Sequence, residues 1–489
     1  MPIITNIINE SLSTGVFPQC LKSAIITPII KKASLNPNNM KNYRPVSNIP
    51  FLSKLIEKQA VKMVNAHVVK NNLGEELQSA YKPAHSTETA LLKVKADMMS
   101  SLSQHRGVFL VLLDLSSAFD TVNHTLLIDR MESELGLKDC VLNWFKSYLS
   151  DRTSRVCING TLSEPMRLAF GVPQGSIVGP SAFTFYTLPL GRIIQSYGLS
   201  YHMYADDVQL YTVFDPNSPI SIASELDKLS SCIDTISNWM HDNLLKLNDD
   251  KTEFFVATSS HLKRKLPPVS LRVGDKFIDP NDTIRNLGVV FDSQMSMSPH
   301  IKSLCSSLTF QLRNITRIRR FLDFDTCHLV IRALVLSRLD YGNGLLLGSN
   351  KTDILRLQRI QNWAAKLVCQ SSKYDHATPH LRRLHWLPVD LRITFKVLVI
   401  VFKCLSHTAP VYLADGFSLY RPARTGLRSA SDTTLLSEYS SRKTLKSMEA
   451  KSFYYAAPRI WNRLPVNIRS SSSLRIFKKQ LKTYLYTML

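Results

Sequence analysis

The chain has 489 residues, too many for one simple domain, and 44% of them are hydrophobic, enough for a substantial buried core. Gly and Pro contents are ordinary, the eight cysteines are scattered singly, and no apolar run approaches the roughly 18 residues of a membrane span, which argues against fibrous, disulfide-framework, zinc-knuckle and membrane-spanning proteins. The formal net charge of +22 indicates contact with a polyanion such as nucleic acid.

The first 160 residues are typical of a mixed α/β region. Apolar residues at three- and four-residue spacing predict helices over 51–72, 86–102 and 137–150. Short runs rich in β-branched residues and leucine predict strands over 23–32, 107–115 and 154–160. Ser86 or Thr87 is the expected cap of the second helix, with Glu88 in its first turn.

The stretch YHMYADDVQLY, residues 201–211, places two adjacent aspartates between apolar and aromatic residues. Asp206 and Asp207 either lie in a solvated turn or hold a cation. If this stretch is a hairpin beside the strand that contains Asp114, three carboxylates converge, which is costly unless divalent metal ions neutralise them. Two such ions about 3.5–4 Å apart would clamp the attacking and leaving oxygens of a phosphoryl transfer.

The next elements are a long helix over 224–245, a strand over 252–258, a hairpin around Gly274 and Asp275, and the apolar segment 284–292. From about 298 to 370 the pattern is helical and rich in arginine. Residues 371–380 are typical of a linker, and residues 418–446 of a polar loop.

The positive charge is concentrated in the second part of the chain. Residues 1–300 carry 29 Lys/Arg and 28 Asp/Glu, whereas residues 301–489 carry 31 and 10. This distribution predicts a balanced first part and a second part that faces a polyanion. Basic helices that only keep the second part soluble are the alternative.

Three motifs occur in order along the chain: VLLDLSSAFDTVNH (111–124), GVPQGSIVGP (171–180) and YADD (204–207). Together they resemble the palm motifs of reverse transcriptases. Upstream, NYRPVSNIPFLSKLIEK and QSAYKPAHSTETAL are similar to the finger motifs of LINE-type (non-LTR) retrotransposon enzymes, and LHWLPVDLRITFKVL resembles their C-terminal region. The resemblance covers nearly the whole chain.

The resemblance implies an α+β fold of the right-hand polymerase type, in which the palm contains an antiparallel sheet and the thumb is helical. It divides the chain into fingers with an N-terminal extension (1–106), palm (107–297), thumb (298–370) and a basic, mainly helical C-terminal region (371–489).

The resemblance also implies that Asp114, Asp206 and Asp207 are catalytic and bind two Mg²⁺ ions, which Mn²⁺ could replace. Lys251 matches a catalytic lysine that protonates the pyrophosphate leaving group, with a plain surface lysine as the alternative. Phe119 matches the residue that crowds the sugar 2′-OH and so selects deoxynucleotides, with a core aromatic as the alternative.

Gln174 and Gly175 match positions that pack against the incoming nucleotide, although an ordinary Pro-Gln-Gly turn would also explain them. Leu287 and Gly288 resemble the primer grip, with a glycine at a strand bend as the alternative. Asp120 is expected to cap the following turn rather than to bind metal.

Basic finger residues are expected to hold the nucleotide triphosphate. Arg44 and Lys82 are the candidates, with His85 as a weaker one. At this site the chain departs from the family pattern, because Ala80, Lys82 and Ala84 replace Gly, Arg and Gly. Lysine keeps the charge but lacks the bidentate fork of arginine, which puts the nucleotide affinity in doubt.

The sequence leaves two functions open. The first is an RNA-directed DNA polymerase that adds dNMPs to a DNA primer 3′ end by two-metal phosphoryl transfer. The second is a catalytically decayed or repurposed element copy that acts only as a nucleic-acid-binding protein.

The expected partners are an RNA template, a DNA primer or target DNA, and dNTPs, with no membrane. The expected location is intracellular, in the nucleus and in a cytoplasmic ribonucleoprotein. The finger motifs begin close to residue 20, which leaves no room for the N-terminal endonuclease of the family. We therefore expect a truncated copy that needs a separate endonuclease activity for integration.

Overall fold

The computed structural model describes residues 2–116, 119–419, 435 and 451–488. The strands, in chain order, are β1 (Ser23–Ile30), β2 (Tyr43–Asn48), β3 (Gly107–Ser116), β4 (Thr153–Ile158), β5 (Thr161–Leu162), β6 (Met166–Arg167), β7 (Ser200–Tyr204), β8 (Asp207–Phe214), β9 (Lys246–Leu247), β10 (Glu253–Ala257), β11 (Leu271–Val273), β12 (Lys276–Ile278), β13 (Thr283–Asn286) and β14 (Val289–Asp292). Helices precede, separate and follow these strands, so the predicted α+β class is confirmed.

The helices before and among the strands are α1 (Pro2–Thr14), α2 (Phe51–Lys70), α3 (Thr87–Ser103), α4 (His124–Ser133), α5 (Asp139–Leu149), α6 (Val178–Tyr186), α7 (Pro189–Ser196), α8 (Pro219–Asp242) and α9 (Ser260–Lys263). Those after β14 are α10 (Ser298–Ile318), α11 (Phe324–Ile331), α12 (Ser337–Asp340), α13 (Lys351–Cys369), α14 (Thr378–Arg383), α15 (Val389–Leu405), α16 (Val411–Ala414), α17 (Phe453–Asn462), α18 (Val466–Arg469) and α19 (Leu474–Tyr486). A π-helical turn, Arg332–Leu336, joins α11 to α12.

The central sheet is antiparallel, with strand order β10–β3–β8–β7 and β9 beside the end of β3. Successive side chains of a strand point to opposite faces. In β3, Phe109, Val111 and Leu113 therefore enter one hydrophobic core, and Val108 and Leu110 enter another. Both faces of the strand are covered, which explains why residues 108–113 form an uninterrupted apolar run.

A second sheet has the strand order β2–β1–β4–β5, with β6 paired to β4. Strand β1 pairs antiparallel with β2 and parallel with β4. The backbone N–H of Ser47 in β2 donates to the carbonyl oxygen of Gln174 at 2.7 Å, so this sheet holds the loop that follows β6.

The core on one face of the central sheet continues without a break from the first part of the chain to its last helix. Leu91 of α3, Leu312 of α10, Leu398 of α15, Trp461 of α17 and Leu481 of α19 all belong to it. The packing therefore crosses the boundary predicted at residue 370. The division into four named parts remains a prediction.

Most predicted elements are present, with shifted ends. The helix predicted from residue 86 begins at Thr87, and the Ser86 hydroxyl accepts from the Thr89 N–H at 3.2 Å as the expected cap. The apolar segment 284–292 lies in a tight hairpin, β13–β14. The predicted linker 371–380 ends in α14, which begins at Thr378. Most of the predicted loop 418–446 lies outside the described residues.

Two further expectations concern the chain as a whole. Within the described part of the chain, no helix is both long enough and apolar enough to cross a membrane. The eight cysteines are free thiols, as their single scattering predicted.

Candidate active site

The three aspartates lie near one end of the central sheet. Asp114 in β3 is the direct cross-strand partner of Asp207 in β8, and Tyr204 pairs with Asp207 to close the hairpin between β7 and β8. Ala205 and Asp206 form the turn, with Ala205 in the left-handed region at φ 57°. The hairpin predicted from residues 201–211 is therefore confirmed, and Asp206 lies at its tip.

The carboxylates repel one another in a partly buried site. Burial, followed by the charges of Asp206 and Asp114, raises the pKa of Asp207 to about 6. Burial also raises the pKa of Asp206; the charge of Asp114 adds to this rise, and those of Lys251 and Arg44 oppose it. Like charges directly opposite each other destabilise a sheet. The pairing of Asp114 with Asp207 therefore lowers the stability of the sheet. A bound cation would remove this electrostatic cost.

Two side chains from the segment after β9 contact Asp114. Lys251 Nζ lies 2.8 Å from Asp114 Oδ2, and Asn248 Nδ2 donates to the same oxygen at 3.3 Å. The Asn248 N–H also donates to the Asp114 carbonyl oxygen at 3.0 Å. Lys251 is thus brought to the carboxylates, whereas its role toward a leaving group remains a prediction.

The chemistry of these donors fits a divalent metal ion. Among the described residues, no three His, Cys, Asp or Glu side chains stand close enough together to form a ready-made metal cluster. Mg²⁺, however, usually takes one or two carboxylates and completes its shell with water and substrate phosphates. Asp114, Asp206 and Asp207 supply such oxygens, and the raised pKa values of Asp206 and Asp207 reflect negative charge that burial leaves poorly solvated. These three residues would hold the metal.

The loop before α6 packs against the segment after β3. The Val172 N–H donates to the Phe119 carbonyl oxygen at 2.9 Å, and Gln174 Nε2 donates to both carboxylate oxygens of Asp120, at 3.0 and 3.1 Å. The expectation that Asp120 caps the following turn is wrong, because Asn123 caps α4 and Asp120 orients Gln174 instead. Phe119 is half-buried, with its ring 5.1 Å from that of Phe183.

Gly175 is required by a close backbone approach. Its φ is +117°, and a Cβ at this position would lie 2.8 Å from the Ser47 carbonyl oxygen of β2. The structure therefore explains this glycine by contact with the neighbouring sheet. A contact with nucleotide remains a prediction.

The predicted triphosphate ligands occupy different surroundings. Arg44 is exposed on β2, and its charge acts to lower the pKa of Asp206. Lys82 instead donates to the Glu75 carbonyl oxygen, and burial lowers the pKa of this lysine. His85 Nδ1 lies 2.8 Å from the Pro83 carbonyl oxygen. Of these three, Arg44 is within electrostatic reach of the carboxylates, and Lys82 is engaged elsewhere.

Leu287 and Gly288 form the tight turn of the β13–β14 hairpin, with φ values of 42° and 84°. Two successive positive φ values fit a type I′ turn, for which glycine is favoured. Tyr341 donates its hydroxyl to the Leu287 carbonyl oxygen at 2.7 Å. Leu287 lines a cavity of about 310 Å³ that Asp114 and Asp207 also line. Leu287 of the primer-grip candidate thus faces the same space as Asp114 and Asp207.

Sequence reasoning missed several side chains at this site. Burial, followed by the charge of Asp206, raises the pKa of Tyr81, which places this phenol near the hairpin tip. Gln209 Oε1 accepts from Asn286 Nδ2 at 2.7 Å, and both residues line the same cavity together with Arg285. Gln209 carries a sequence signal because it is a polar residue within the largely apolar strand β8, whereas no local pattern distinguishes Tyr81 from its neighbours.

Comparison with known proteins gives one family match. Residues 30–291, just over half of the chain, match the model of the reverse transcriptase (RNA-dependent DNA polymerase) family. Among curated proteins, the probable RNA-directed DNA polymerase from transposon BS of Drosophila melanogaster is 25% identical over 79% of this chain and 43% of its own length. The RNA-directed DNA polymerase from mobile element jockey of the same species is 25% identical over 61% of this chain and 32% of its own length.

The Pol polyprotein from type-1 retrotransposable element R1 of Bradysia coprophila is 24% identical over 81% of this chain and 38% of its own length. The chain thus spans less than half the length of these curated relatives. Among solved structures, apo telomerase from Candida tropicalis aligns over 80% of this chain and 66% of its own, with 12% identity and a TM-score of 0.41.

Proposed function

Because this chain belongs to the reverse transcriptase (RNA-dependent DNA polymerase) family, we propose that it is an RNA-directed DNA polymerase of the LINE-type (non-LTR) retrotransposon class. It adds dNMPs to a DNA 3′ end on an RNA template. One observation carries the proposal: Asp114 and Asp207 are cross-strand partners below the hairpin tip that bears Asp206. The printed names of the Drosophila relatives support the same class.

The metal requirement follows from the carboxylates. Two Mg²⁺ ions, when bound, would supply the charge that activates the primer hydroxyl and stabilises the transferring phosphoryl group. Asp114, Asp206 and Asp207, at one end of the central sheet, would hold these ions. Lys251 contacts Asp114 at 2.8 Å and would act on the pyrophosphate leaving group.

The remaining residues position the nucleotide. Gln174, oriented by Asp120 at 3.0 and 3.1 Å, and the half-buried Phe119 bound the deoxynucleotide sugar and base. Arg44 attracts the triphosphate through its exposed guanidinium, and a bidentate fork suits phosphate oxygens. Leu287, which lines the cavity together with Asp114 and Asp207, bears on the primer end with the adjacent Gly288.

The proposed partners are an RNA template, a DNA primer or target DNA, and dNTPs, and insertion would require a separate endonuclease activity. The proposed location is the nucleus and a cytoplasmic ribonucleoprotein. Exposed arginines of α10, such as Arg313 and Arg317, offer phosphate contacts that position nucleic acid without reading its sequence.

A primer-extension assay tests the proposal. The wild-type chain, an RNA template with an annealed DNA primer, dNTPs and Mg²⁺ should give extended DNA. Asp206→Asn should lower the rate by about 10²–10³-fold, the scale seen when a group that acts mainly on the transition state is removed. Asp282→Asn is the matched control, because Asp282 is exposed and paired with Lys263 at 2.8 Å; its rate should stay within about twofold of wild type.

The same assay separates the two functions that the sequence left open. Extension by wild type and its loss in Asp206→Asn support the polymerase. RNA binding without extension by wild type, or equal extension by Asp206→Asn, would contradict the polymerase and favour a copy that only binds nucleic acid.

A further inference from the structure

A short segment outside the recognised palm motifs lies along the catalytic hairpin. Strand β7 is at the end of the central sheet, and the segment 77–79 covers that edge. The Met203 N–H donates to the Leu77 carbonyl oxygen at 2.9 Å, and the Ser79 N–H donates to the Met203 carbonyl oxygen at 2.9 Å. Gln78 is therefore bridged in parallel to Met203 and is held next to the hairpin.

The Gln78 side chain reaches from this segment to the turn of the hairpin. It is 2% exposed. Its Oε1 accepts from the N–H of Ala205 at 2.9 Å and from the N–H of Ala80 at 2.9 Å, and its Nε2 donates to the Ala205 carbonyl oxygen at 3.4 Å. Two backbone donors face Oε1, so the orientation of the amide is fixed by its partners.

Ala205 is a residue whose conformation needs support. Its φ of 57° lies in the left-handed region, which residues other than glycine seldom adopt because the Cβ crowds the backbone. Ala205 is also the residue directly before Asp206, so the orientation of its peptide groups sets the direction in which Asp206 leaves the turn.

We propose that Gln78 is a positioning residue for Asp206 and Asp207. Its carboxamide contacts the N–H and the carbonyl of the strained residue Ala205 and so fixes the turn that aims the two carboxylates. A glutamine suits this task because one side chain must accept from the N–H and donate to the carbonyl oxygen of the same residue, and so contact the peptide groups on both sides of it. The inference rests on the proposed polymerase function and adds a residue that acts on catalysis through the turn.

Gln78→Met tests the proposal, because methionine keeps the length and removes both the acceptor and the donor. The matched control is Gln361→Met in α13, where the buried glutamine donates to the Leu387 carbonyl oxygen at 2.9 Å far along the chain. Gln78→Met should lower kcat for primer extension by about 10- to 100-fold, since small misplacements of catalytic groups have effects of that size. KM for dNTP, and kcat of Gln361→Met, should change less than about threefold.

Hydrogen exchange supplies a readout that needs no activity. The peptide 201–211 should exchange faster in Gln78→Met, because the Ala205 N–H loses its acceptor, and should be unchanged in Gln361→Met. Unchanged exchange together with a kcat equal to that of the control would overturn the proposal. If the wild type extends no primer, the proposed function fails, and the exchange comparison alone decides whether Gln78 holds the turn.

A second variant covers the case in which Gln78→Met does not fold. Gln78→Glu keeps an oxygen that accepts from the Ala205 and Ala80 N–H groups and replaces the amide donor. Its kcat should fall between those of wild type and Asp206→Asn. A kcat equal to that of wild type would overturn the proposal.

Discussion

Residues 1–300 carry 29 Lys/Arg and 28 Asp/Glu, whereas residues 301–489 carry 31 and 10. In the first part, the acidic side chains include the carboxylates of the candidate site, and one of them, Asp114, is paired with Lys251. In the second part, exposed arginines such as Arg313 and Arg317 have few carboxylates to pair with. Charge alone would divide the chain into a catalytic part and a binding part.

The packing does not follow this division. Glu88 of α3 accepts from the Gly344 N–H at 2.8 Å and pairs with Lys396 at 3.1 Å. The hydroxyl of Tyr412, in the second part, lies 2.7 Å from Ser79 Oγ, which lies 2.8 Å from His202 Nε2 in β7. Charge composition thus indicates what a surface binds, whereas shared burial determines which residues fold together and support the site.

The largest effect is expected for a variant that should impair primer extension without impairing RNA binding. Asp114→Asn removes one carboxylate of the site and should lower primer extension by about 10²–10³-fold. RNA affinity, measured by titration at fixed salt, should change less than about twofold, because the phosphate contacts are expected in residues 301–489. A parallel loss of affinity would show that the two parts do not divide these tasks. Asp282→Asn again serves as the control.

The next effect tests the packing across the charge boundary. Tyr412→Phe removes a buried hydroxyl that bonds Ser79 and Thr89 and leaves both without this partner, so the free energy of unfolding should fall by about 2 kcal/mol. Because Ser79 also contacts His202 in the catalytic hairpin, kcat for extension should fall as well.

The control for Tyr412→Phe is Tyr197→Phe, which removes a half-buried hydroxyl 2.6 Å from Thr235 Oγ1. It should lower the free energy of unfolding by about 1 kcal/mol without changing kcat. The kcat of each variant is measured at a temperature at which both variants are equally folded. Equal kcat values would refute the coupling of the second part to the hairpin.

A charge variant of α10 and of the 3₁₀ turn that follows it, Arg319–Phe321, tests the binding surface. Arg313, Arg317 and Arg320 are exposed, and changing all three to glutamine should weaken RNA binding about tenfold and reduce the slope of log affinity against log salt by about 2, at roughly 0.7 per lost phosphate contact. Lys58, Lys62 and Lys70 on α2, also exposed, give a control of equal charge change. If both triple variants reduced the slope equally, the excess of basic residues in 301–489 would not indicate where RNA binds.

The effect with the smallest change per step of the measurement is a dependence of stability on pH. Lys95 of α3 is 3% exposed and donates to the Leu345 carbonyl oxygen of the second part. Burial, followed by the charge of Lys451, lowers the pKa of Lys95 to about 7 from 10.5, and Asp292 opposes the fall. Between these two pKa values the unfolded chain binds more protons than the folded chain, so stability rises with pH.

The expected rise is about 1 kcal/mol per pH unit between roughly pH 7.5 and 9.5. Chemical denaturation at a series of pH values measures it, and Lys95→Met should remove it, since methionine does not titrate. Parallel pH curves for wild type and Lys95→Met would show that the buried amine does not control stability.

The sequence predicted the site only in part. The order of the motifs identified Asp114, Asp206 and Asp207, and the hairpin was expected because its strands have a recognisable local pattern. The surroundings of Lys82 were not foreseen, because its contact with the Glu75 carbonyl depends on how the loop folds back on itself. The role of Asp120 was wrong for the same reason: its partner Gln174 lies 54 residues further along the chain.

The amino-acid sequence by itself determined the elements and the chemistry that they carry, since apolar periodicity, caps and motif residues act over a few neighbours. Only the tertiary structure decided the contacts between distant segments. The register of Asp114 with Asp207, the bond between Gln78 and Ala205 over 127 residues and the bond between Ser79 and Tyr412 over 333 residues all depend on it. Such contacts form only when whole faces are buried together, which local pattern does not specify.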